Sequence, residues 1–124
     1  MIDNKGRFFH IDFGYILGRD PKPYPTPLKL CQEMADCMGG KDSKRYEEFK
    51  QKCVNTYWAL RHNVKLIVNK FYLMKDSGIS ELNNIEILKK LQDKFSQGFN
   101  KQQTSNSLFS NLEESINALM PLLI

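Results

Sequence analysis

Apolar and polar positions change rhythm several times along the chain, and each change marks an expected element. Near the start, Ile2-Asp3 and Phe8-Phe9-His10-Ile11 flank the turn-forming Asn4-Lys5-Gly6, which predicts a β-hairpin over residues 1–13. The next segment has no helical rhythm. Gly14 and Gly18 loosen the backbone, and Pro21, Pro23, Pro25 and Pro27 alternate, each forcing its predecessor out of the α region. Residues 20–27 are therefore expected to be an extended loop.

From Leu28 onward the spacing becomes helical. Leu30, Met34, Cys37 and Met38 recur every three or four residues until Gly39-Gly40 stops the run. Asp42 or Ser43 can cap a second helix whose stripe is Tyr46, Phe49, Cys53, Tyr57 and Leu60. Val64, Leu66, Ile67, Val68, Phe71 and Met74 form a run apolar on most sides, expected to be buried and to end at Gly78. Asn83 with Glu86 resembles a capping box for Ile87, Leu88, Leu91 and Phe95, closed by Gly98. Residues 100–107 are polar and read as a loop, after which Leu108, Leu112, Ile116 and Leu119 make a last amphipathic helix. The fold class is thus mainly α with an N-terminal β-hairpin, its helices packed around Phe49, Tyr57, Leu60, Ile67, Phe71, Leu91 and Phe95. No repeat is visible.

Composition narrows the class. With 41% hydrophobic and 26% charged residues, the 124-residue chain suits a single globular unit rather than a disordered one. The formal charge of +4 is compatible with an anionic partner but too small to indicate nucleic acid. The longest apolar stretch, residues 118–124, contains Pro121 and falls far short of the roughly 20 residues a bilayer span needs. Charged Asp3, Lys5 and Arg7 at the start leave no apolar segment for a secretory signal. Cys31, Cys37 and Cys53 are odd in number and lack Cys-x-x-Cys spacing, so reduced thiols in a cytoplasmic setting, without a disulfide or zinc, are expected.

The residues that invite chemistry lie early. Asp12-Phe13-Gly14 follows the apolar Phe9 and Ile11. A carboxylate at the end of an extended segment, with Gly releasing the chain behind it, suits Mg²⁺, which takes one or two carboxylates and completes its shell with phosphate oxygens and water. An ordinary Asp before a turn glycine has the same three residues. The proline-stiffened loop after it carries Arg19, Lys22 and Lys29, and a stiff loop can present a lysine to a phosphate with little ordering cost. Seven residues of polyproline geometry span roughly 20 Å, so Lys22 and Lys29 can meet one headgroup only where the loop bends. His10 and His62 read as packed or surface side chains, Tyr57 and Trp58 as packing, and Cys31 as an unactivated thiol.

The run Phe9-His10-Ile11-Asp12-Phe13-Gly14-Tyr15-Ile16-Leu17-Gly18-Arg19-Asp20-Pro21-Lys22-Pro23, with Pro27-Leu28-Lys29-Leu30, Glu33-Met34 and Met38-Gly39-Gly40, closely resembles the class III phosphatidylinositol 3-kinases, the vacuolar-sorting lipid kinases. Weaker similarity continues through Leu60-Arg61 and Asp93-Lys94-Phe95 towards Leu119. The resemblance implies the C-terminal part of a PI3/PI4-kinase catalytic domain, of protein-kinase-like fold. Residues 1–13 would lead to the Asp-Phe-Gly motif, residues 12–34 would be the activation loop, and residues 28–124 would be C-lobe helices. It implies ATP and Mg²⁺ (or Mn²⁺) as cofactors, with Asp12 as the catalytic metal ligand at the ATP phosphates. Ile11 would lie beneath the nucleotide base, and Phe13 and Gly14 would complete the nucleotide-binding motif. Lys22, Lys29 and Arg19 would form the substrate-binding set facing the phosphate of phosphatidylinositol. Class I relatives carry a denser basic cluster for polyphosphorylated lipids.

The same resemblance implies a peripheral enzyme of endosomal and autophagic membranes, acting in vesicle trafficking and autophagy with a pseudokinase-like scaffold and a Beclin-type subunit. The family's ATP-binding lobe and its Asp-Arg-His-x-x-Asn catalytic loop are not in this sequence. Met1 is therefore expected to be an internal residue of a longer kinase, and the 124 residues alone to be inactive, sticky or oligomeric. Pro121 interrupts the last helix that the family uses at the membrane. Two other readings stay open: a phosphatidylinositol 4-kinase, and a non-catalytic helical remnant that binds a membrane or partner.

Overall fold

A computed structural model describes residues 1–7, 9–23, 25–95 and 98–118. Its described elements are α1 (Gln32–Cys37), α2 (Lys44–His62), α3 (Val64–Leu73), a 3₁₀ turn (Ser80–Asn83), α4 (Ile85–Phe95) and α5 (Lys101–Asn117). Leu119 and the tail 120–124, on which the reading of a Pro121 interruption depends, lie outside the described residues, as does Phe8 of the expected hairpin arm.

The N-terminal β-hairpin is not supported: among the described residues no strand forms. The chain does turn back on itself. Met1 and Phe9 exchange backbone hydrogen bonds of 2.9 and 3.1 Å, and Asp3 N–H donates to Arg7 C=O at 2.9 Å. The Asp3 carboxylate closes the turn by accepting from the Lys5 and Arg7 amides and from Arg7 Nε. Pairing stops there, and among the described residues no third strand or apolar face covers it. Phe9, Ile11 and Phe13 are all exposed, and a two-stranded ribbon without a third strand or a packed face is marginal in water.

The first helix is shorter than its apolar spacing suggests. Leu28 and Leu30 remain non-helical and α1 starts at Gln32. The reason is tertiary. Leu28 N–H donates to Ser115 Oγ at 2.9 Å, and Leu30 is buried with Ala35, Tyr46, Leu112 and Ile116. Gly39, at φ 99°, reverses the chain after α1, where an L side chain would be strained and its Cβ would meet Ser43 Cβ at 3.1 Å. Ser43 then joins two helices, donating to Met38 C=O at 2.8 Å and accepting from Tyr46 N–H at 3.1 Å as the expected cap of α2.

Three further expectations are corrected. Residues 100–107 are mostly helical, not loop: Asn100 and Gln103 form a reciprocal capping box and α5 begins at Lys101. The cap at the start of α4 comes from Asn84, which accepts from Glu86 N–H at 3.0 Å, while Asn83 belongs to the 3₁₀ turn. The apolar run from Val64 forms α3 but is not buried, with Leu66 and Leu73 56% and 84% exposed. The core sits elsewhere than on the expected aromatics. Tyr46, Val54, Leu82, Leu88, Leu112 and Ile116 are buried, whereas Tyr57, Ile67, Phe71, Leu91 and Phe95 are only half-buried and Leu60 is exposed. Phe49 packs on the edge of the main cluster. The helices lie about where the apolar spacing puts them, but the side chains that face inward are set by which helices meet, α2 on α5 and α3 on α4: Val54 rather than Leu60 is buried on α2, and Ala35 rather than Met34 on α1.

Candidate functional site

Asp12 leaves the N-terminal turn with φ 58°, in the left-handed region that Asp and Asn enter more readily than other non-glycine residues. Its side chain is exposed. A Cβ at position 14 would lie 3.4 Å from Asp12 Oδ1, an ordinary contact, so the carboxylate stays open on this side. Five residues on, Leu17 also has a positive φ, 54°, followed by Gly18 at 93°, and the turn closes with Arg19 N–H on Ile16 C=O at 3.1 Å. A bulky residue in this region stores strain on the order of 1–3 kcal/mol, and such strain concentrates in segments with a functional task.

The loop after Asp12 does bend, and Asp20 is the reason. Its Oδ1 accepts from Lys22 N–H at 2.9 Å, and its Oδ2 receives the Lys29 ammonium nine residues along. Position 29 is thereby folded back to within a carboxylate of position 22. Arg19 is turned the other way, pairing with Glu81 of the 3₁₀ turn at 2.5 Å and lying over the Tyr15 ring with 5.7 Å to its centroid. Lys22 forms no ion pair among the described residues. The far end of the loop is pinned. Thr26 Oγ1 donates to Leu28 C=O, Leu28 N–H donates to Ser115 Oγ, and Ser115 Oγ–H donates to Asn111 C=O inside α5. Ser115 is fully buried.

These contacts set the electrostatics. The Lys29 ammonium, and after it the Lys22 amide, hold the Asp20 carboxyl below its ordinary range. Hydrogen bonding from Arg19 does the same to Glu81. Because the Asp20 value is lowered on folding, the interaction is at full strength above the unfolded carboxylate value of about 3.9 and is lost as pH falls through the lowered value. In an acid titration followed by NMR, the Lys22 amide proton should therefore shift with a midpoint below about pH 3.9. A midpoint at or above that value would show that Lys29 does not hold Asp20 in solution.

Of the residues singled out from sequence, the structure brings the Lys22 amide and the Lys29 ammonium to the same Asp20 carboxylate, and keeps Ile11, Asp12, Phe13 and Gly14 in one exposed stretch. Among the described residues no three His, Cys, Asp or Glu side chains converge on a possible metal position. The chain thus offers Asp12 as one carboxylate, which fits an ion such as Mg²⁺ that keeps waters and shares phosphate oxygens. His10 is exposed, and His62 Nδ1 lies 2.8 Å from Trp58 C=O. Cys31, Cys37 and Cys53 are free thiols, and burial raises the pKa of the Cys53 thiol. Cys53 lines a groove of about 870 Å³ between α2, the end of α4 and α5, with Leu28, Phe49, Tyr57 and Leu108. Sequence reasoning missed Glu81 and Ser115. Ser115 could have been noticed as a small polar residue on the apolar face of Leu112 and Ile116, whereas Glu81, 62 residues from Arg19, carries no local signal.

A sequence profile described as phosphatidylinositol 3- and 4-kinase matches residues 1–84. The chain belongs to the phosphatidylinositol 3- and 4-kinase family. Within that family it is similar over its whole length to proteins named phosphatidylinositol 3-kinase. It is 41% identical to the nodule isoform of phosphatidylinositol 3-kinase from Glycine max over all of this chain and 16% of the relative. It is 40% identical to phosphatidylinositol 3-kinase VPS34 of Arabidopsis thaliana, again over the whole chain and 16% of the relative. Its identity to phosphatidylinositol 3-kinase VPS34 of Saccharomyces cerevisiae is 37%, over the whole chain and 14% of that protein. The chain therefore spans about one-sixth of the length of the first of these relatives. No helix among the described residues is long and apolar enough to cross a membrane.

Proposed function

We propose that this chain is the activation-loop and distal-helix part of a class III lipid kinase that transfers the γ-phosphate of ATP to the 3-hydroxyl of phosphatidylinositol. The supporting observation is an open, left-handed Asp12 followed by a loop folded on Asp20, which takes the Lys22 amide on one oxygen and the Lys29 ammonium on the other. Asp12 would hold the divalent ion that accompanies ATP, Mg²⁺ or Mn²⁺. Such an ion neutralises charge developing on the transferred phosphoryl group. Ile11, 58% exposed, offers an apolar surface for the nucleotide base, with Phe13 and Gly14 beside it.

Lys22 is the substrate cation in this reading, aimed at the lipid phosphodiester, with Lys29 and Arg19 behind it on their carboxylates. The flanking prolines keep the loop near its bound shape, so little freedom is lost on docking. Such a chain works from the cytoplasm, at the surface of endosomal and autophagic membranes. Its partners there are a pseudokinase-like scaffold and a Beclin-type subunit, in vesicle trafficking and autophagy.

Phosphoryl transfer requires nucleotide, metal and acceptor hydroxyl to be positioned together, and a single carboxylate does not accomplish that. The test compares the full-length enzyme with the 124-residue chain on phosphatidylinositol vesicles with ATP and Mg²⁺. The full-length enzyme should yield the 3-phosphate and the short chain nothing above blank. Phosphate at the 4-position would overturn the assignment to 3-kinases. Turnover by the short chain would overturn the division of labour.

A further inference from the structure

The loop carries three cations, yet two of them are already matched. Arg19 lies on Glu81 at 2.5 Å, and the Lys29 ammonium lies on Asp20. In both pairs the carboxylate is the sheltered partner. The Glu81 and Asp20 side chains are 10% and 14% exposed, against 57% and 67% for Arg19 and Lys29. Glu81 is held by its neighbours, since Leu82 beside it is buried and Ser80 Oγ donates to its Oε2 at 3.1 Å. Asp20 is held by the Lys22 amide. The anions are therefore built in, and the flexible cations are laid on top of them.

Exposed pairs of this kind add little to stability, because solvent screens them and two long side chains must be ordered. Their effect on an incoming anion can be larger, because a ligand charge that comes within a Debye length, roughly 8 Å, of either pair meets a neutralised cation rather than a free one. We propose that Asp20 and Glu81 determine headgroup specificity by masking Lys29 and Arg19. They leave the half-exposed Lys22 as the loop's one cation outside an ion pair among the described residues, its charge reaching Asp20 without a direct contact, which matches an inositol lipid bearing a single phosphate. A second phosphate on the ring would have to displace a built-in carboxylate or lie beside it, which is discrimination by repulsion rather than by added contact. This rests on the reading above that the loop meets the lipid headgroup.

The test uses the full-length enzyme on vesicles of phosphatidylinositol or phosphatidylinositol 4-phosphate, balanced with phosphatidylserine to the same total charge. Wild type should strongly favour the unphosphorylated lipid. Glu81→Gln frees Arg19 without touching the loop, and Asp20→Asn frees Lys29 while keeping an acceptor for the Lys22 amide. Each should raise the ratio of 4-phosphate to plain lipid turnover about fivefold, the effect expected of one uncovered cation at an anionic surface. Adding Arg19→Gln to Glu81→Gln should return the ratio to the wild-type value. Vesicle flotation should give the same ratios for binding, so a variant with low turnover still reports. Ratios unchanged in both single variants, or a gain that survives removal of Arg19, would overturn the masking role alone. A wild-type enzyme that leaves phosphatidylinositol unmodified would instead sink the underlying assignment.

Discussion

Asp12→Asn in the full-length enzyme should lower turnover on phosphatidylinositol by on the order of 10³-fold or more, with folding nearly untouched. The two halves of that expectation have separate causes. Asn keeps the shape of Asp but is a poor ligand for a hard divalent cation, so the charge-neutralising ion is lost from the nucleotide phosphates. Asn is also at least as tolerant of the left-handed backbone that Asp12 adopts at φ 58°. Because the side chain is exposed, stability should change by no more than about 0.5 kcal/mol. Turnover within tenfold of wild type in a normally folded variant would show that Asp12 does not carry the metal.

Leu112→Ala should be the most damaging single change to the 124-residue chain itself. Leu112 is 2% exposed at the centre of the cluster formed by Leu30, Ala35, Tyr46 and Ile116. Removing its branched end leaves a void, at a cost of about 2–5 kcal/mol. A domain of this size commonly has only about 5–15 kcal/mol in all. A thermal melt should show the midpoint lowered by on the order of 10 °C. Leu66→Ala is the matched control on the exposed side of α3, and should cost no more than about 0.5 kcal/mol. Equal losses in the two variants would place Leu66 in the core, contrary to its 56% exposure.

Local rules carried much of the helix architecture. The Gly39-Gly40 stop, the Ser43 cap and the start of α2 with its buried Tyr46 were legible, because each depends on residues within a few positions of one another. The capping box at Asn100 and Gln103 was equally local, and was outweighed by the polar character of residues 100–107. That character marks a solvent-facing helix as readily as a loop, since only Thr104 of that stretch is buried. What local pattern could not supply was partnership. The apolar run of α3 carries no mark of which helix it faces, and the hairpin's two arms carry no mark of whether anything covers them. Leu28 and Leu30 fit a helical stripe, yet the hydroxyl of Ser115, 87 residues away, holds the first of them out of α1.

The same limit shaped the candidate site. Asp12-Phe13-Gly14 and the proline loop were visible as motifs, together with Ile11, Arg19, Lys22 and Lys29. A bend between positions 22 and 29 was foreseen only as a condition, and Asp20 supplies one through the Lys22 amide and the Lys29 ammonium. Glu81 is beyond any local window, because its relation to Arg19 exists only once the 3₁₀ turn has packed through Leu82.

The bond between the Leu28 amide and the Ser115 hydroxyl ties two distant stretches of sequence together. Opening of the C-terminal half of α5 removes the acceptor of the Leu28 amide, so deuterium uptake at residue 28 should be at least as fast as at that part of the helix. If the loop meets the lipid as proposed, its headgroup choice would be adjustable from the rear, because a change on the buried side of α5 would alter the slack of the segment anchored at Leu28.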